Sequence, residues 1–390
     1  MLWLVCSIIF FDPLFFDSLS YSTMPIKPRF HAFSTILTAA IIALSCSACG
    51  NTTGTTSGTM TDTTRTNPST PPPAWLLGSV GDTADAPQGT TQFGLVLMGG
   101  STDVDEAMRW MLERAGGGDV VIIRATGSTG YNDYLFTLGA KVNSVETIRI
   151  NSRATADDPS VERRLRNAEM VFIAGGDQAD YVNYWRGTKV QAALNYLATV
   201  KKIPIGGTSA GCAILGRTYF GALQGTIRSE PALQNPYDAL VTLSRNDFLD
   251  MPFLENTITD THYDNPVRVG RHLVFMARMI QDSGVAPLQM RGIGVEERTA
   301  VAVDAAGQAV VFGRGQAHFL QGASAQATPE ICRTGQPLTW NRNKQAVRAY
   351  VIAGGTRGNG TFNLATWADA AVSGGTWRKY WAVNGIQNEE

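Results

Sequence analysis

The chain has little that staples, spans or polarises. It holds five cysteines, and three of them (Cys6, Cys46 and Cys49) fall in the first fifty residues. Only Cys212 and Cys332 remain downstream, without a CxxC pattern, so neither a disulfide framework nor a cysteine metal site is expected. Both read as small buried side chains. Lysine and arginine number 32 against 33 aspartates and glutamates, a formal charge of -1, and no long basic block stands out. That balance argues against a nucleic-acid scaffold and leaves a small or neutral substrate. The apolar run over residues 33–44 is too short to span a bilayer comfortably. No internal repeat is evident. Glycine, by contrast, is abundant, with 40 residues that often close short strands in pairs. In a chain of 390 residues, 44% of them hydrophobic, this punctuation suits an α/β protein with a sizeable core.

Residues 1–50 read as a leader. In "MPIKPRFHAFSTILTAAIIALSCSACG" (24–50), Lys27 and Arg29 supply a positive start ahead of the apolar run. "CSAC" resembles a bacterial lipobox, with Cys46 where leucine is usual, so both lipidation of Cys49 and plain secretion fit. The upstream "MLWLVCSIIFFDPLFF" is a second apolar stretch broken by Asp12 and Pro13, which points to a true start at Met24. Residues 51–78 read as a disordered linker of Thr, Ser, Gly and Pro, too poor in large apolar groups to offset chain entropy. The α/β domain is expected over 79–390.

From residue 92, short apolar runs alternate with helical patterns. "GLVLMGG", "DVVIIRATG", "SVETIRI", "MVFIAGG" and "IPIGG" read as strands, separated by segments such as "DVDEAMRWMLERA" and "TKVQAALNYLATV" with apolar residues at helical spacing. This predicts a mostly parallel sheet sandwiched by helices. Ligands of such sheets lie beyond the carboxyl ends of the strands. The glycine-bearing ends at 99–101, 175–178 and 206–209 are expected to converge there. Residues 292–320 alternate and turn at 305–308, as antiparallel strands do, which predicts a C-terminal antiparallel extension. The segment from 335 onward carries no clear pattern.

"GTSAG" (207–211) fits G-x-S-x-G, the turn that projects a serine from a strand end into a helix start. The glycines permit a tight turn, and the amide of Ala210 would face an oxyanion formed at Ser209. A serine nucleophile needs a base. His31 lies in the leader, while His272 and His318 sit in an amphipathic helix pattern and an alternating strand. His262, in "ITDTHYDNP", follows an apolar strand and is the candidate. For the acid that orients it, Glu230, Glu255, Asp260 and Asp264 compete. Cys212 lies one helical turn past Ser209, and packing is preferred for it over a thiol nucleophile.

Three segments together, "FIAGGDQ" (172–178), "GGTSAGCAILG" (206–216) and "DTHYDNPVRVGR" (260–271), resemble the cyanophycinase branch of serine peptidases, related to dipeptidase E and the glutamine-amidotransferase-like fold. "GIGVEERTAVAV" is similar to a later strand of that family. The likeness covers about residues 92–320. It implies a serine exopeptidase with Ser209 as nucleophile, His262 as base and Glu230 as acid. It also implies oxyanion donors at Gly176, Asp177 and Ala210, and substrate contacts from Gln178, Asp260, Arg268 and Arg271. Pro266 departs from the family pattern, standing where an additional arginine is usual, and this alters how an aspartyl carboxylate would be held.

This chemistry requires no metal and no cofactor. The partner expectations are a small, polar, aspartyl-containing peptide, no nucleic acid, a membrane anchored through lipidated Cys49, and self-association as a homodimer. An esterase of the α/β-hydrolase type shares G-x-S-x-G but would need an HGGG-type loop that is missing here. A catalytically inactive peptide-binding lipoprotein is the alternative from another class.

Overall fold

Short buried strands alternating with capped helices build the first half of the domain. The structure, a computed structural model, describes residues 72–85, 89–139 and 141–390. The leader over 1–50, with Cys6, Met24, Cys46 and Cys49, and the linker up to residue 71 lie outside the described residues. In chain order come β1 (Leu76–Gly81), β2 (Gly94–Met98), α1 (Asp105–Arg114), β3 (Asp119–Arg124), α2 (Tyr131–Thr137), β4 (Ser144–Arg149), α3 (Arg153–Ala156), α4 (Pro159–Asn167), β5 (Met170–Ile173), α5 (Gln178–Trp185), α6 (Lys189–Tyr196) and β6 (Pro204–Thr208). Strands β4, β3, β5, β6 and β2 lie side by side in that order, all parallel. Every residue of β2, β5 and β6 is buried, which is why they read as unbroken apolar runs.

Helices cover both faces. Val96, Val120, Ile122 and Phe172 point toward α1 and α2, while Leu95, Val121, Ile123 and Val171 point toward α3 to α6. The period-2 alternation of a strand separates these two sets. Local chemistry sets the helix starts: Ser152, Asp158 and Asp177 each accept a backbone N–H in the first turn, and Pro159 occupies the first turn of α4. β1 pairs antiparallel with β4, Leu76 opposite Ile148 and Gly78 opposite Thr147. Residues 76–78 therefore belong to the sheet edge, a correction to the linker boundary.

The second half adds α7 (Ala210–Ala213), β7 (Thr218–Phe220), α8 (Ser229–Gln234), β8 (Leu243–Arg245), β9 (Thr257–Asp260), α9 (Val269–Ser283), β10 (Arg291–Val295), β11 (Thr299–Val303), β12 (Gln308–Gly313), β13 (Gln316–Gly322), β14 (Val347–Ala353), β15 (Asn359–Asn363), β16 (Gly375–Val383) and β17 (Ile386–Glu389). β11, β12 and β15 extend the first sheet antiparallel beyond β2, giving nine strands with β1 at the other edge. The rest form an eight-stranded sheet in the order β17-β16-β14-β13-β10-β9-β7-β8. The antiparallel extension is present. It is shared between two sheets, with β10 and β13 in one and the β11–β12 hairpin in the other. The chain crosses from sheet to sheet at residues 296–298. Ile293, Val295 and Phe319 join the core of the first sheet, while Leu320, Val347 and Ala349 face a separate core under α8 and α9. Among the described residues, no helix is long and apolar enough to cross a membrane.

Candidate active site

β6 delivers Ser209 into a turn with φ 53° and ψ -120°. A left-handed non-glycine residue costs on the order of 1–3 kcal/mol and persists only where its surroundings enforce it. Here the flanking glycines do so. A Cβ on Gly207 would come within 2.6 Å of the Gly211 backbone, and one on Gly211 within 2.3 Å of the Ile173 carbonyl. The strand, the turn and α7 thus touch backbone to backbone. The Ser209 amide donates to the Met98 carbonyl at 3.1 Å, which ties the elbow to the end of β2.

His262 lies two residues past the end of β9, also at positive φ, 48°. Its amide donates to the Gly99 carbonyl at 2.7 Å. Gly100 leaves room for the ring, since a Cβ there would stand 2.4 Å from His262 Nε2. Nε2 meets Ser209 Oγ at 2.8 Å, and Nδ1 meets Glu297 Oε1 at 2.7 Å. A carboxylate only accepts, so this network assigns the ring proton to Nδ1 and leaves Nε2 free to accept from the serine hydroxyl. Glu297 is held at the crossover between the sheets, its amide donating to Asp264 Oδ1 at 2.8 Å.

The acid on His262 is thus Glu297, and the expectation of Glu230 is corrected. Glu230 is solvent-exposed in the first turn of α8, where a carboxylate suits a helix start. Asp264 supports the backbone of Glu297, and Glu255 is exposed before the start of β9, at the opposite end of the strand from His262. The usable signal was "GIGVEER", a buried strand that ends directly in carboxylates. The family resemblance implies Glu230 instead.

The turn after β5 borders the nucleophile, and a Cβ on Gly175 would meet Ser209 Cβ at 3.4 Å. Among the described residues, the amides of Gly176, Asp177 and Ala210 donate to no acceptor. Asp177 caps α5 through its side chain, which accepts from the Ala179 amide at 2.9 Å. Gln178 is half-buried and reaches the Phe220 carbonyl with Nε2 at 3.5 Å. Backbone N–H groups on two sides of a serine can stabilise a developing oxyanion.

The polar residues after His262 divide. Asp260 is 2% exposed and receives a two-pronged contact from Arg271, with Nε on Oδ2 at 2.8 Å. Arg271 spends its remaining donors on the Ile227 carbonyl at 3.0 Å and Thr226 Oγ1 at 3.2 Å. Burial works to raise the Asp260 carboxyl, but the Arg271 guanidinium overrides it and holds the group below its ordinary value. Asp260 and Arg271 therefore brace β9 against α9, at the positions where the resemblance implies substrate contacts. Arg268 stands 3.8 Å from Asp260 and keeps 20% of its side chain exposed. Pro266 is exposed in the same loop. Cys212 is fully buried, and burial pushes its thiol upward, so it packs as a small hydrophobe.

A serine, a histidine and a carboxylate in one hydrogen-bonded row at the ends of parallel strands define the class: an α/β protein with a serine-hydrolase type of site. Residues 122–306, which contain Ser209, His262 and Glu297, match Peptidase family S51. The cyanophycinases of Synechococcus elongatus and Thermosynechococcus vestitus are each 29% identical to this chain over 234 residues, a match covering 57% of it and 66% of their own length. A solved peptidase from an acI-B1 Actinobacterium aligns with a TM-score of 0.42 at 15% identity, over 59% of this chain and 91% of that one. Over residues 122–306 the chain is similar to Peptidase family S51, and in sequence it resembles cyanophycinases. It spans just under two thirds of the length of the cyanophycinases it matches.

Proposed function

We propose that this protein is an exported serine exopeptidase of the cyanophycinase type, hydrolysing short polar peptides that contain aspartate. The observation that carries this reading is the continuous row from Glu297 through His262 to Ser209, with contacts of 2.7 and 2.8 Å. Ser209 Oγ attacks the scissile carbonyl while His262 Nε2 takes its proton. The carbonyl electron pair moves onto oxygen, where the amides of Ala210 and Gly176 receive it. Each such donor is worth roughly 10²–10³ in rate. Glu297 stabilises the imidazolium, which then hands its proton to the leaving nitrogen as the C–N bond breaks. Water, deprotonated by the same histidine, attacks the acyl-serine, and the released proton returns to Ser209.

Arg268 and Gln178 are the side chains placed to select substrate. With Pro266 offering neither charge nor donor, Arg268 is the cation left in that loop for an aspartyl carboxylate. The leader motif with Lys27 and Arg29 supports export, with Cys49 as the anchoring residue of a lipoprotein. The test is hydrolysis of β-Asp-Arg, α-aspartyl and isoaspartyl dipeptides by the full chain and by Ser209→Ala. Turnover should vanish in the variant while its circular dichroism and melting stay those of the parent. Turnover retained by Ser209→Ala would overturn the assignment.

A further inference from the structure

One residue beyond Glu297, the chain enters a cleft of about 390 Å³ that the reaction above leaves unused. Arg298 and Arg314 line it together with the acids Asp103, Asp105 and Glu106. Both arginines are exposed, and among the described residues neither guanidinium forms an ion pair, unlike Arg268, Arg271 and Arg348. Their backbones are fastened together and to the catalytic loop: the Arg314 amide donates to the Arg298 carbonyl at 3.0 Å, and the Arg298 amide to the Gly100 carbonyl at 3.0 Å. Gly100 is the residue whose missing Cβ makes room for His262. Arg298 itself holds φ 55°, a strained conformation for a long side chain, and such strain collects at functional sites.

Two guanidiniums without an ion-pair partner among the described residues, carried on backbones bonded to each other, suit a carboxylate, which accepts two parallel hydrogen bonds. In the same lining, Asp103 Oδ2 accepts from Tyr131 Oη at 2.5 Å, while its Oδ1 is buried without a partner among the described residues. The three acids of the lining repel a second carboxylate, so a ligand with one anionic end and a neutral or cationic remainder fits the cleft.

We propose that this cleft is the subsite for the leaving-group amino acid, and that Arg298 and Arg314 clamp its free α-carboxylate. The inference rests on the peptidase reading and deepens it. It makes this an enzyme that requires a C-terminal carboxylate one residue past the scissile bond, and it disfavours an acidic residue there.

The test is binding of the dipeptide Asp-Arg and of its C-terminal amide to the full chain carrying Ser209→Ala, measured calorimetrically. The free acid should bind about tenfold tighter or more than the amide, the advantage expected of a charge-assisted two-point contact. Arg298→Gln with Arg314→Gln should erase that difference without changing the melting temperature, and lysine at both positions should restore part of it. Equal or absent binding of acid and amide, or a preference untouched by the double variant, overturns the proposal. Binding needs no turnover. A parent chain that prefers the acid yet hydrolyses nothing would therefore sink the peptidase reading and leave the carboxylate clamp standing.

Discussion

At the scale of single residues, Glu297 carries the sharpest prediction. Glutamine in its place can turn an amide donor toward His262 Nδ1, which drives the ring proton to Nε2, where it blocks acceptance from Ser209. Glu297→Gln should lower kcat by roughly 10³–10⁴, as loss of the orienting carboxylate does in serine-hydrolase triads. Glu230→Ala should stay within about threefold of the parent, since an exposed first-turn carboxylate adds only a modest interaction with the helix end. Steady-state kinetics on a dipeptide substrate distinguishes the two, and a larger loss for Glu230→Ala would return the acid to α8. Ser209 and His262 were legible because each closes an apolar strand with a recognisable turn. Glu297 also closes one, β10, but the family resemblance implies Glu230 in its place. Asp260 and Arg271 stand as charges close to the base in the sequence, and the packing of β9 on α9 pairs them with each other.

At the scale of elements, the site exists because three strand ends meet. β2 supplies Gly99 and Gly100 against His262, β5 supplies the turn beside Ser209, and β6 supplies the elbow. Gly211→Ala forces a Cβ to within 2.3 Å of the Ile173 carbonyl and should cost about 1–3 kcal/mol by overpacking. Urea denaturation should record that loss together with reduced turnover; unchanged stability would mean the helix–strand contact is looser than described. Gly100→Ala should act differently, displacing His262 and lowering kcat about 10²-fold, the scale of a misplacement near 1 Å, while leaving the cores intact. The parallel strands and their covering helices were readable because an apolar run followed by a capped amphipathic helix has few other uses. The division of residues 291–322 between two sheets was not. β10, β11, β12 and β13 share one period-2 pattern, and nothing in that pattern says which neighbour a strand pairs with. The strands beyond 335 were hidden for the same reason, since their pairing is long-range and their segment is rich in glycine and asparagine.

At the scale of the whole molecule, the site joins two sheets, Ser209 following β6 of one and His262 following β9 of the other, and the buried Asp260–Arg271 pair ties β9 to α9 beside it. Arg271→Met would strand a buried carboxylate and should destabilise the fold by about 3–5 kcal/mol. The pH dependence has a definite sign. The Asp260 carboxyl titrates lower in the folded chain than its ordinary value near ~3.9. Its contribution is therefore complete above that value and drains as pH falls toward the folded one. Between neutral pH and about pH 3, the parent should lose more stability in urea than Asp260→Asn does, because only the parent has this carboxylate to protonate. Equal losses would show that other carboxylates govern acid unfolding. The central claim, that Ser209 is a nucleophile activated by His262, is tested most directly by treating the full chain with a fluorophosphonate and mapping the adduct by mass spectrometry. The account predicts one adduct, on Ser209, that is lost in His262→Ala; no adduct on Ser209, or labelling undiminished without the histidine, would contradict it.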